Sequence, residues 1–261
     1  MGMIDIQDIR FAYANEPPIF DEFSWQIARG DAWAVIGPSG CGKTSLLYLL
    51  AGLYLPQKGQ IRIENKPVTA PRPRSGLVLQ DHGLLPWASV YQNARLGLTV
   101  RGFYGSDGRH APIDEELTMP EADQRVQYWL QKLSIQHLRS QYPSHLSRGQ
   151  RQRTAIARTL AMQPDLLMLD EPFSALDAPT RQDLQQLILN LGADGKLTII
   201  IVTHDIEVAV SMGRRILALN LGGNRHARII ENDDACQPEY RYQRQFRDQC
   251  DYLHTILGDL I

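Results

Sequence analysis

Residues 37 to 44 read GPSGCGKT, and this octapeptide limits what the chain can fold into more than any other stretch of it. It fits the pattern G-x-x-x-x-G-K-[ST], and its flanks supply the context the pattern needs: the β-rich run AWAVIG before it and the leucine-rich run KTSLLYLLAGL after it. A strand, a glycine turn and a buried helix ending near Gly52 are expected in that order. Glycines let successive backbone N–H groups curl around phosphate oxygens, and the helix start adds partial positive charge. Gly40 and Gly42 keep side chains out of the way, and Cys41 occupies a permissive position. Lys43 then reaches the β- and γ-phosphates as a point charge, and the Thr44 hydroxyl suits the octahedral shell of Mg²⁺.

A second element, LLMLDEP at 166 to 172, is an apolar strand ending in two acids. Asp170 is placed to hold Mg²⁺ through its water shell, and Glu171 to accept a proton from an attacking water. Strands often finish in acids that simply face solvent, so this run means little alone. Beside a phosphate loop it points to nucleotide hydrolysis.

The rest of the chain reads as an α/β fold. IDIQDIRF and FSWQIA imply an antiparallel β portion at the start, and GQIRIE, SGLVLQ and RRILALN read as further strands. DLLMLD and LTIIIVT are continuously apolar, as central parallel strands covered on both faces are, so the core sheet is expected to be mainly parallel. Between Gln80 and Asp165 the pattern turns helical, with Val126, Trp129, Leu130 and Leu133 on one face of a helix. Residues 101–120, with three glycines, two prolines and no steady period, read as a long surface loop without chemistry. The tail from Gly222 carries the strand-like run HARIIE and a candidate terminal helix, YRYQRQFRDQCDYLHTIL.

Composition excludes several classes. With 261 residues, 43% of them hydrophobic, the chain can bury one large domain, or a domain with a subdomain. Its 27 basic and 29 acidic residues give a formal charge of −2, which disfavours nucleic acid as a partner. No apolar run approaches the ~20 residues of a membrane span, and the N-terminus is unlike a signal peptide. Cys41, Cys236 and Cys250 form no CxxC pair, which fits a reducing compartment such as the cytosol.

LSRGQRQR, at 146 to 153, crowds three arginines into six positions at a helix start. Ser147 is a good N-cap there, and the free N–H groups of that helix end suit an anion. Taken in order, GPSGCGKT, Gln80, LSRGQ, LLMLDEP, SALD at 174 to 177 and His204 resemble the motifs of an ATP-binding cassette protein. The resemblance runs from about Ile4 to about Asn220. It implies a P-loop NTPase core with an N-terminal antiparallel β subdomain and a helical signature subdomain at about 85–163. Residues 1–221 would form the cassette, and 222–261 a C-terminal extension of unassigned role.

The resemblance further implies a homodimer in which each ATP lies between the phosphate loop of one subunit and the signature of the other. ATP would then contact Tyr13, stacked on adenine, the loop residues Gly37, Pro38, Ser39, Gly40, Cys41, Gly42, Lys43, Thr44 and Ser45, and the partner's Ser147, Gly149 and Gln150. Mg²⁺ would be held by Thr44, Gln80 and Asp170. Glu171, His204, Lys43 and Gln80 would carry catalysis, and Asp177 would couple the two sites. Arg148 stands where the family most often has glycine, and its side chain is expected to face water; Arg151, Arg153 and Arg158 are read as surface or structural residues.

QDHGLLPWASVYQNARLGL, at 80 to 98, is similar to importer ATPases of the nitrate, sulfonate and taurine type. There, Trp87 and Leu85 would be apolar anchors for a permease helix, with buried packing as the competing reading. The implied role is the ATPase subunit of an importer for a small solute. It would sit at the inner face of the membrane with permease subunits and a solute-binding protein. A soluble cassette acting on nucleic acid or the ribosome is the alternative; a phosphate-loop kinase or GTPase leaves LSRGQ and SALD unexplained.

Overall fold

The structure, a computed structural model, describes residues 2–258 except Ala175, Ala227 and Pro238. Ala175 of the SALD run, Ala227 of HARIIE and residues 259–261 of the tail therefore lie outside the described residues.

Two sheets organise the chain. The first holds β1 (Gly2–Phe11), β2 (Phe20–Ala28), β4 (Lys58–Ile63), β5 (Lys66–Pro67) and β10 (Asn224–His226), in the order β10-β2-β1-β4-β5. Its central pairs are antiparallel, as the alternating runs predict, with Ile6 opposite Trp25 on one side and Ile61 on the other. The second holds β3 (Ala32–Ile36), β6 (Ser75–Val78), β7 (Leu166–Asp170), β8 (Thr198–Val202), β9 (Arg215–Ala218) and β11 (Arg228–Glu231). Its order is β11-β9-β3-β8-β7-β6, parallel throughout except for β11 against β9. Every residue of β7 and β8 is buried, which is what their unbroken apolar sequences require.

One core fills the space between the sheets. There α1 (Lys43–Leu50) sets Leu46, Leu47 and Leu49 against Ile4, Trp25, Trp33, Leu166 and Met168. On the other face of the parallel sheet, α2 (Val90–Tyr104), α3 (Met119–Lys132) and α4 (Arg148–Ala161) share a core that includes Val126, Leu130 and Leu133. α5 (Ala178–Gly192) adds Leu184 and Ile188 to that core. A third cluster joins α6 (Ile206–Met212) to the terminal helix α7 (Arg244–Gly258) through Val210, Phe246, Leu253 and Ile256. α5 and α6 went unread in the sequence, because each is short or weakly patterned.

The stretch at 101–120 departs from the loop expected there. α2 continues through Tyr104 and α3 starts at Met119, leaving residues 105–118 as the connection. Arg101, only 3% exposed, holds that connection by donating to Glu115 Oε2 (2.6 Å) and the Pro73 carbonyl (2.6 Å). Arg125 also bonds Glu115, and Arg74 grips Asp114. An irregular sequence hid an anchored loop, since its order comes from distant side chains rather than from local period.

Candidate active site

The phosphate loop leaves β3 and enters α1 through Gly42, at φ 104, a left-handed conformation that glycine adopts without penalty. No side chain caps α1. A Cβ at Gly42 would also meet Ile19 Cγ2 at 2.3 Å, so the loop is pressed against the start of β2. Lys43 Nζ donates to the carbonyls of Gly37 (2.8 Å) and Pro38 (2.9 Å), which arches the ammonium back over the loop. Thr44 Oγ1 donates to Asp170 Oδ2 at 2.9 Å, linking the start of α1 to the end of β7.

Asp170 is 3% exposed, and burial raises its carboxyl above the ordinary aspartate range, with the Thr44 bond opposing that rise. Glu171 follows it in a left-handed conformation, φ 50, uncommon for a residue with a side chain. Glu171 Oε1 lies 2.8 Å from His204 Nδ1; the glutamate side chain is 11% exposed and the histidine 69%. The carboxylate is therefore sheltered and its partner reachable.

One cleft of about 630 Å³ gathers most of these groups. Ser39, Gly40, Cys41, Gly42, Lys43, Thr44, Ser45, Tyr13, Gln80, Asp170, Glu171 and His204 all line it. Gly37 and Pro38 do not; they supply the carbonyls that hold Lys43. The Tyr13 hydroxyl lies 2.9 Å from Ser45 Oγ, while its ring packs edge-on against Phe11 and Tyr54 at the rim. Burial raises the Cys41 thiol, which suits a packing role.

The signature residues stand apart. Ser147 caps α4 in a reciprocal box with Gln150: Gln150 N donates to Ser147 Oγ (3.2 Å) and Ser147 N to Gln150 Oε1 (2.9 Å). Ser147, Gly149 and Gln150 line a different hollow, shared with Leu176, Asp177 and Thr180. Arg148 is exposed, as expected. Arg153 bonds the Leu133 carbonyl, and Arg158 the carbonyls of His82 and Gly83.

The sequence reading missed one wall of the cleft, formed by Glu16 to Ile19, Asn220, Gly222 and Gly223. Nothing local in the sequence says that these two segments, some two hundred residues apart, meet.

Against known proteins, the family model described as ABC transporter matches residues 20–174. The chain belongs to the ABC transporter family. Among the relatives of this cassette, the taurine import ATP-binding protein of Yersinia pseudotuberculosis is 39% identical over 94% of this chain and 95% of its own length. The aliphatic sulfonates import ATP-binding protein of Bacillus cereus is 36% identical over 82% of this chain and 78% of its own. A dimeric ATP-binding cassette solved in a post-hydrolysis state with ADP and Pi superposes with a TM-score of 0.75 at 27% identity, covering 88% of this chain and 98% of that one. Part of an ABC transporter complex from Clostridium perfringens matches with a TM-score of 0.74 at 26% identity, covering 98% of both chains. The cassette is an ATPase.

Proposed function

We propose that this cassette energises import of a small solute of the sulfonate class by closing as a pair of copies on ATP and reopening after hydrolysis. Permease subunits would hold it at the inner membrane face, and a solute-binding protein would deliver the cargo. The relatives are named for sulfonate and taurine import, which supports the solute class. No helix among the described residues is long and apolar enough to cross a membrane. Trp87, 74% exposed, and half-buried Leu85 are offered to a permease helix.

One observation carries the chemical part: Lys43, Thr44, Asp170, Glu171 and His204 converge on one cleft while the signature residues line another. In the proposed pair, Ser147, Gly149 and Gln150 of one copy meet the ATP held by the other, and Asp177 couples the two sites.

The donor set fits a magnesium ion, because the Thr44 hydroxyl and the Asp170 carboxylate are hard oxygen ligands already within hydrogen-bond distance. With Gln80 they would hold Mg²⁺, which neutralises charge on the β- and γ-phosphoryl oxygens. Lys43 and the loop amides bind and orient the triphosphate, and Tyr13 receives the adenine. Glu171, held by His204, takes the proton of the attacking water.

Glu171→Gln should leave ATP affinity within about twofold while lowering turnover by about a hundredfold or more. Calorimetric titration and phosphate release measure the two. Turnover close to that of the unaltered protein would remove Glu171 from its role.

A further inference from the structure

The phosphate loop is braced from outside by a residue that no motif includes. Asn224 opens β10 and is 2% exposed. Its Nδ2 lies 3.2 Å from the Cys41 carbonyl, 3.2 Å from that of Ile19 and 3.4 Å from that of Asn220, and its Oδ1 accepts from Asn220 N at 2.8 Å. Its own backbone N–H also donates to the Ile19 carbonyl, at 2.9 Å. One side-chain amide thus joins three segments: the phosphate loop, the entry to β2 and the turn after β9.

Those segments already squeeze the loop from two sides. Ile19 fills the space where Gly42 would carry a Cβ, and a Cβ at Gly37 would meet the Leu219 carbonyl oxygen at 2.5 Å. Ile19, Asn220, Gly222 and Gly223 also line the cleft, so Asn224 lies directly behind its wall. The peptide joining Cys41 to Gly42 is planar and trans, since no cis bond occurs among the described residues. Its carbonyl and its N–H therefore point in opposite directions. Holding the Cys41 oxygen on the Asn224 side turns the Gly42 N–H away from Asn224, and Gly42 lines the cleft.

The geometry assigns Asn224 as a positioning residue of the ATP site: its amide fixes the Cys41–Gly42 peptide so that the Gly42 N–H stays aimed at a bound phosphate. Asn224 touches no nucleotide and acts only through the loop. This assignment rests on the nucleotide-cleft reading given above. Asn224→Asp keeps the shape and the acceptor for Asn220 N but sets a carboxylate against three carbonyl oxygens, whereas Asn224→Ala removes both the donor and that acceptor. Arg225→Ala is the control, because Arg225 sits on the same strand and its ion pair with Asp21 (3.5 Å) does not involve the loop.

Mg-ATP affinity, measured by fluorescence titration of the full chain, should fall about tenfold in Asn224→Ala and further in Asn224→Asp. KM should rise in parallel, with kcat at saturating ATP kept within about twofold, because the cradle binds ground state and transition state alike. The Gly42 amide resonance should lose most of its shift on Mg-ATP addition, while Arg225→Ala keeps affinity and shift unchanged. Unaltered affinity in Asn224→Ala, or an equal loss in Arg225→Ala, would overturn the assignment. Failure of the unaltered protein to bind Mg-ATP would instead sink the cleft reading itself. Should Asn224→Asp fail to fold, the alanine variant and the Gly42 resonance still decide the matter.

Discussion

Asp170 shows what single residues concede to chemistry. Its carboxylate is sealed at the end of an apolar strand, where burial disfavours the charged form. A folded-state pKa above the unfolded value means that the native state keeps its proton longer as pH rises. The associated stability is present at low pH and drains away as pH climbs through the raised value. At neutral pH the charge is therefore a liability, and Asp170→Asn, which still accepts from Thr44, should raise Tm by a few degrees, roughly 2–4 °C per kcal/mol recovered. The same variant should lose Mg-dependent turnover. A thermal melt at pH 7 that shows no gain would contradict the desolvation argument. Residues at this scale divide sharply in legibility. Lys43, Thr44, Asp170 and Glu171 were readable because each stands at a fixed offset in a local pattern with its own physics. Tyr13, Gln80 and His204 carry no local signal and emerged only from the order of motifs along the chain. Asn224 was invisible: an asparagine after two glycines reads as a turn residue, and its three acceptors come from positions 19, 41 and 220.

Elements were legible where one periodicity dominated. β7 and β8 announced themselves as unbroken apolar runs, and α4 as a capped amphipathic helix whose serine box is present in the structure. The stretch at 101–120 failed the same approach because its order is tertiary. Arg101 is the pin: a buried guanidinium held between Glu115 and the Pro73 carbonyl, tying the end of α2 to the approach to β6. Removing one member of a buried ion pair strands the other, so Arg101→Met should destabilise the protein by about 3 kcal/mol, read from urea midpoints at constant m. Arg125 already bonds Glu115, which keeps the loss at the lower end of the range for such pairs.

For the molecule as a whole, the decisive fact is that phosphate loop and signature open into separate hollows. In the proposed pair each site is completed from two chains, which suggests a mixing experiment. Lys43→Ala and Ser147→Arg should each be inactive alone. Their heterodimer holds one site with both halves intact, so combined turnover should exceed either parent; no recovery, where a single intact site suffices, would rule out the shared arrangement. The architecture of strand, phosphate loop and parallel sheet was foreseeable from sequence, because each strand carries its own pattern. At the far end of the chain β11 and α7 fall where HARIIE and the candidate terminal helix were read, but β10 and its place beside β2 had no local signal. After β9, the chain places a three-residue strand beside β2 in one sheet and a four-residue strand beside β9 in the other. Those seven residues work as a stitch through two layers of cloth. A fragment trimmed at 221 to isolate the motifs would leave two raw hems, inviting other chains to pair along them.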